Sequence, residues 1–247
     1  MLYLGYGPLK TRSVGTSDRK EFATALKQNA AIQSGESATL SIAVPANHED
    51  EMRVALALMS AYGAIGGRSR NGWGSFSLLP RGDASPAPDV NLAQFRRPWR
   101  DALEVDWVHA LGVDDQWPLI WQTTHTDEDW RQIMRNLAIV KIGVRTLFSL
   151  NGPPHPTPVD RHWLSYPITR HPTAAWRKTS GRLPNSLRFK VRQDSENPEK
   201  LRGVIFHAPC LPTREFSPCK TVIERVWECV HRFLDGPATV ALERISE

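Results

Sequence analysis

Cysteine is scarce in this chain, three residues among 247, and Cys210, Cys219 and Cys229 contain no C-x-x-C pair. An odd, widely spaced set of this kind supports neither a disulfide framework nor a zinc ribbon, and it fits a reduced, cytoplasmic setting. Cys229 shares a helical face with Val222, Val226 and Phe233 and reads as a buried thiol. Long apolar runs are also missing. Nothing approaches the roughly eighteen residues that span a bilayer, and the opening "MLYLGYGPLKTR" turns polar too soon for a secretory signal. No membrane partner is therefore expected. Neither G-x-x-x-x-G-K-[ST] nor G-x-G-x-x-G occurs, so a mononucleotide P-loop and a dinucleotide-binding fold are unsupported. Repeats of fixed period and low-complexity tracts are absent too.

What is present is a globular composition, 40% hydrophobic and 9% aromatic, with a net charge of +5. Its distribution tells more than its total. Residues 101–130 carry eight Asp or Glu and no Lys or Arg, whereas residues 161–192 carry eight Lys or Arg and no carboxylate. Interleaved with those cations are Trp163, Tyr166, Trp176 and Phe189, the mixture of charge and flat rings that suits single-stranded nucleic acid. In "LRFKVR" the apolar Leu187, Phe189 and Val191 alternate with Arg188, Lys190 and Arg192. A strand here is expected to bury one face and display cations about 6.5 to 7 Å apart on the other, at ~3.3 Å per residue. That row is a candidate phosphate track, with Trp163 or Trp176 as stacking platforms. Asp114–Asp115 and Asp127–Asp129 could hold a divalent ion. Thr126 before Asp127, Glu128 and Asp129 instead reads as a helix N-cap with carboxylates in the first turn, so no metal and no cofactor is expected.

Periodicity gives the organisation. "ATLSIAV" alternates as a strand; Asn47, with Asp50 three residues on, reads as the cap of a helix whose face is Met52, Ala55, Leu56, Met59 and Tyr62. A glycine loop follows, then "WGSFSLL" as a strand, and "PRGDASPAPD" as a linker. Trp130, Ile133, Met134, Leu137, Val144, Leu147 and Phe148 mark a long amphipathic helix stopped by "NGPPHPTP". A late helix after Ser217 and Pro218 turns Val222, Ile223, Val226, Trp227, Val230 and Phe233 inward and ends at Gly236, and "TVALERI" closes as a strand.

The loop itself, "GAIGGRSRNGWGSF", holds five glycines and two arginines in fourteen positions. Phosphate loops of nucleotide enzymes leave a strand and open onto a helix, so that the helix N-terminus faces the anion. This loop leaves a helix and enters a strand. Gly63, Gly66, Gly67, Gly72 and Gly74 let backbone approach a partner closely, while Arg68 and Arg70 supply fork-shaped cationic donors.

This stretch resembles the glycine-rich loop of the RAMP superfamily, the RNA-binding subunits of CRISPR systems. Together with "YLGYGPL", "ALALMSAYGAIGGRSRNGWGSF", "HWLSYP" and "RLPNSLRFKV", it is similar to segments of the head-subunit family of type III-B (Cmr) RNA-targeting complexes. The resemblance implies an α+β fold, a ferredoxin-like or RRM-like RAMP domain with an antiparallel sheet and an added helical insertion. Residues 1–80 would form the first part of that core with the loop, residues 81–158 the insertion with the acidic block, and residues 159–247 the basic strand, late helix and closing strand. It also implies a non-catalytic subunit that binds guide RNA and target RNA near the guide 3′ end beside other RAMP subunits. Gly66, Gly67, Arg68, Arg70, Gly72 and Gly74 would line the RNA backbone, with Arg182, Arg188 and Lys190 on or near its path. Asn71 stands where many relatives carry another basic residue. The family's arginine- and tryptophan-rich first half has no counterpart here, which implies a fragment, or a separate chain that supplies that half.

Three functional classes follow. In the first, Arg68, Arg70, Arg188, Lys190 and Arg192 carry phosphates in an RNA-binding subunit. In the second, a metal-independent guide-RNA-processing endoribonuclease, His162 or His171 serves as general acid or base. The roughly 170 residues after the loop argue against it, because the processing members carry that loop near the C-terminus. In the third, a pure assembly subunit, the acidic block docks on a basic neighbour.

Overall fold

The computed structural model describes residues 9–14, 21–26, 35–82, 91–152, 155–237 and 240–246, with backbone alone for 9–14 and 21–26. The chain divides into two units, Met1–Val90 and Asn91–Glu247. The expected linker at 80–89 enters residues 83–90, and most of "YLGYGPL" lies at residues 3–8; both segments fall outside the described residues.

In the first unit, β1 (Leu9–Val14) and β2 (Glu21–Leu26) pair antiparallel, Leu9 opposite Leu26 and Val14 opposite Glu21. Helix α1 (Glu49–Tyr62) follows a single 3₁₀ turn at Ala46–His48. His48 occupies the N-cap without a side-chain bond, so Asn47 does not cap it. Glu49, Asp50 and Glu51 fill the first turn, where their charge complements the helix dipole. The expected strand over residues 38–44 does not form: the segment is irregular, with Leu40 and Ile42 exposed. "WGSFSLL" contributes one bridge, Ala64 to Ser75, in place of a strand. Alternation marked residues suited to a sheet, but among the described residues no neighbouring strand pairs with them.

The second unit is built on a four-stranded antiparallel sheet. Before it come β3 (Arg96–Pro98) and β4 (Leu111–Val113), paired parallel. Strand β5 (Ile120–Thr123) leads to helix α2 (Trp130–Thr146), β6 (Leu187–Gln193), β7 (Leu201–His207), helix α3 (Lys220–Asp235) and β8 (Leu242–Arg244). Residues 81–158 thus carry a helix and also β5, which sits between β7 and β8 in the sheet. Asp129, three residues beyond Thr126, caps α2, its Oδ1 accepting the Arg131 N–H at 2.9 Å. Ile133, Leu137, Val140 and Val144 of α2 and Val226, Val230 and Leu234 of α3 are buried. A Cβ at Gly203 of β7 would lie 2.8 Å from a Leu137 methyl, so glycine lets α2 settle close on the sheet. Burying each such leucine or valine stabilises the unit by about 1.5–3 kcal/mol.

Polar clamps fix the strand ends. Arg202 donates from Nε to Asp194 Oδ1 at 2.6 Å and from Nη1 to the Thr123 carbonyl at 3.1 Å and Glu243 Oε1 at 3.3 Å. The first of these bonds holds the Asp194 carboxyl below the usual range. Arg244 grips both oxygens of Asp235 at 2.6 Å and reaches Asp114 at 2.8 Å. The structure is α+β: an antiparallel sheet with helices, joined by long irregular connections. Cys219 is exposed and Cys210 and Cys229 are partly exposed, so the thiol expected to be buried at Cys229 is only partly so.

Candidate nucleic-acid interface

The glycine loop is a folded-back turn whose tip stands in solvent. Ala64 bridges Ser75, and the Ile65 N–H donates to the Gly74 carbonyl at 2.9 Å. Inside, the Asn71 N–H donates to the Arg68 carbonyl at 2.8 Å and the Ser75 hydroxyl to the Gly72 carbonyl at 2.7 Å. Gly74 has a structural reason: its φ is +71°, and a Cβ there would overlap the Ile65 carbonyl oxygen. The tip differs. A Cβ at Gly66 or Gly67 would meet nothing within 4 Å, and Gly67 needs no positive φ. Between these open glycines and Arg70, Arg68 is held at φ 67° with its side chain exposed. A left-handed arginine costs about 1–2 kcal/mol, and such strain gathers where function demands a fixed shape.

The basic stretch divides by burial. Arg182 is exposed, and Arg188 and Arg192 are half-buried. Lys190 is 1% exposed, which overturns its expected place in a solvent-facing row of cations. Register gives the reason: Lys190 pairs with Val204 and Arg188 with Phe206, and residues opposite one another share a face. Val204 and Phe206 are buried, so the middle of the cationic face of β6, at Lys190, belongs to the interior, while Arg192 falls opposite the half-buried Arg202. Burial, with Arg192 nearby, lowers the Lys190 ammonium to about 8.

Trp163 and Trp176, expected as stacking platforms, are 5% and 3% exposed. They stack on protein. Trp176 meets Trp163, Tyr166 and Phe216 edge to face, each with ring centroids 5.0 Å apart, and its Nε1–H donates to the Phe216 carbonyl at 3.0 Å. Edge-to-face pairs at this distance are core contacts worth about 0.5–1.5 kcal/mol each beyond burial, and they leave no ring face for a base.

His162 joins the same cluster. It is fully buried, its Nδ1 accepts the Val159 N–H at 3.0 Å, and its Nε2–H donates to the His171 carbonyl at 2.9 Å. Both nitrogens are committed to backbone, and burial lowers its pKa. The ring is a neutral strut, poorly suited to general acid or base work. His171 is half-buried, with its Nδ1 3.4 Å from His155 Nε2.

One polar constellation left no mark in the sequence patterns. His231 Nε2 and His207 Nδ1 lie 2.9 Å apart, and His207 Nε2 lies 2.9 Å from Ser186 Oγ. Trp227 stacks on His207 and Trp121 on His231, while Trp99 meets His231 edge-on. Burial pushes His207 well below the ordinary imidazole range and His231 down to about 3, where Arg244 adds to the shift and Asp114 and Asp235 oppose it. His231 lines a cleft of about 370 Å³. His207 ends β7 and His231 lies in the C-terminal half of α3, and neither spacing nor neighbours in the chain set them apart.

Among the described residues no three His, Cys, Asp or Glu side chains are grouped to hold a metal ion, and no helix is long and apolar enough to cross a membrane. No protein-family model matches the chain, and no curated protein or solved structure matches it.

Proposed function

We propose that the chain is a non-catalytic RNA-binding subunit that holds the backbone of guide RNA and of the guide–target duplex. The carrying observation is the loop tip: Gly66 and Gly67 open to solvent, Arg68 fixed at positive φ, and Arg70 exposed beside it. Gly67, which neither packing nor φ requires, admits a close-approaching partner, Gly66 beside it is open although its φ is +89°, and two arginine forks suit phosphate oxygens. Backbone recognition of this kind is indifferent to sequence.

The similarity of the loop and of the "RLPNSLRFKV" segment to type III-B CRISPR subunits supports the finer reading, a ferredoxin-like RAMP fold placed near the guide 3′ end among other RAMP subunits in the cytoplasm. The phosphate-bearing set in this reading centres on Arg68 and Arg70, with the exposed Arg182 as a separate contact. Lys190, Trp163 and Trp176 serve the core. Titrating a fluorescent single-stranded RNA at several salt concentrations tests the proposal. Affinity should fall with salt, with a slope near −0.7 per phosphate engaged, and a salt-insensitive affinity would refute it.

A further inference from the structure

We infer that the cleft at the C-terminal half of α3 is a pocket for one unstacked nucleobase, with Arg100 as its stacking surface. The inference rests on the RNA reading and adds to it a site in the second unit. Arg100 lies over Trp99 with Cζ 4.5 Å from the ring centroid, and Glu228 pins its guanidinium by an ion pair. One face of that guanidinium is taken by the indole, and the side chain is still 48% exposed. Flat guanidinium planes are a recurring support for bases splayed out of an RNA strand.

The remaining groups match a nucleotide. Glu228 already neutralises Arg100, and Asp235 and Asp114 neutralise Arg244 on the wall. Asp115 and Arg232 at the rim are of opposite sign, and neither has an ion-pair partner among the described residues. The carboxylate suits the N–H edge of a base and the guanidinium its phosphate. At the floor His231 is 6% exposed, and its Nδ1 has no hydrogen-bond partner among the described residues. At about 370 Å³ the cleft falls at the small end of ligand sites, roughly 300–1,000 Å³.

The histidine chain makes the floor adaptable. With Ser186 donating to His207 and His207 to His231, Nδ1 of His231 carries a proton and donates into the cleft. With the chain reversed, Nδ1 is bare and accepts. Both arrangements keep the rings neutral, so the floor answers a donor or an acceptor on the base edge. The pocket therefore takes any of the four bases.

The test is a titration of the full chain with 5′-UMP and 5′-GMP, with ribose 5-phosphate and inorganic phosphate as controls. It is read by tryptophan fluorescence and by the ¹⁵N shifts of the His207 and His231 rings. Saturable changes with both nucleotides and neither control are expected, accompanied by a tautomer change at His231. Arg100→Ala should weaken binding about tenfold or more, and Asp115→Asn, a surface change, should weaken it several-fold. No ring shift at millimolar nucleotide, equal responses to ribose 5-phosphate, or an unaffected Arg100→Ala variant would overturn the pocket. RNA affinity that depends on Arg68 and Arg70 without nucleotide binding leaves the RNA reading standing and removes the pocket. Nucleotide binding without RNA affinity does the reverse.

Discussion

His231 Nε2 and His207 Nδ1 stand 2.9 Å apart between Trp121 and Trp227, two neutral imidazoles sharing one proton in the core of the second unit. Folded, both resist protonation: His207 is held well below the ordinary value and His231 near 3. Unfolded, each takes a proton near 6.5. Below that pH the unfolded chain binds more protons, so stability falls as pH falls. Urea unfolding monitored by tryptophan fluorescence should lose about 1.4 kcal/mol per pH unit for each histidine between about pH 6 and 4. His231→Gln should remove one histidine's share of that slope.

Lys190 acts in an alkaline window. Its ammonium loses its proton at about 8 in the fold and at about 10.5 in the unfolded chain, so between those values the unfolded chain again binds more protons. Stability should rise across that range by about 1.4 kcal/mol per pH unit. Lys190→Met should abolish the alkaline rise in denaturant titrations. A surface lysine titrating normally would give no rise in either protein.

Trp176 is a hub of the aromatic cluster. Trp176→Ala should destabilise the second unit by about 3–5 kcal/mol, whereas Trp176→Phe, which keeps part of the packing, should leave RNA affinity at the wild-type value. An affinity loss in a folded Trp176→Phe protein would restore the stacking role expected from the sequence.

Gly67 separates fold from binding. A methyl group there meets no protein atom and no forbidden φ, so Gly67→Ala should leave Tm unchanged. RNA affinity should drop several-fold if, as proposed, the backbone of RNA approaches where the added Cβ would stand. Unchanged affinity would mean that the glycine serves no contact.

The comparison of strands shows what sequence pattern could and could not reveal. The alternation of Leu187, Phe189 and Val191 with cations located β6 correctly, and the turn at Gly236 marked the end of α3. Alternation identifies a strand without saying which face is wet. Arg188 and Lys190 fall opposite Phe206 and Val204, and only the register reveals that this part of the face is interior. Burial of Trp176, on which Trp163 packs, was hidden for a similar reason, since its partner Phe216 lies some forty residues further along the chain. In the first unit the pattern of "ATLSIAV" suited a strand, but a strand needs a neighbour, and the described pairing joins Leu9–Val14 to Glu21–Leu26 instead. The glycine loop was legible because its signal is local: glycines at φ above zero and a close carbonyl are properties of a few adjacent residues.

In the proposed function the loop tip grips RNA phosphates through Arg68 and Arg70. The most direct measurement is the salt dependence of single-stranded RNA affinity for the wild type and for the Arg68→Ala, Arg70→Ala double variant, with Tm confirming that both are folded. Two lost phosphate contacts should make the slope of log affinity against log salt shallower by about 1.4, with weaker binding at low salt. Identical affinity and slope in the two proteins would contradict the account and leave the loop without a part in RNA binding.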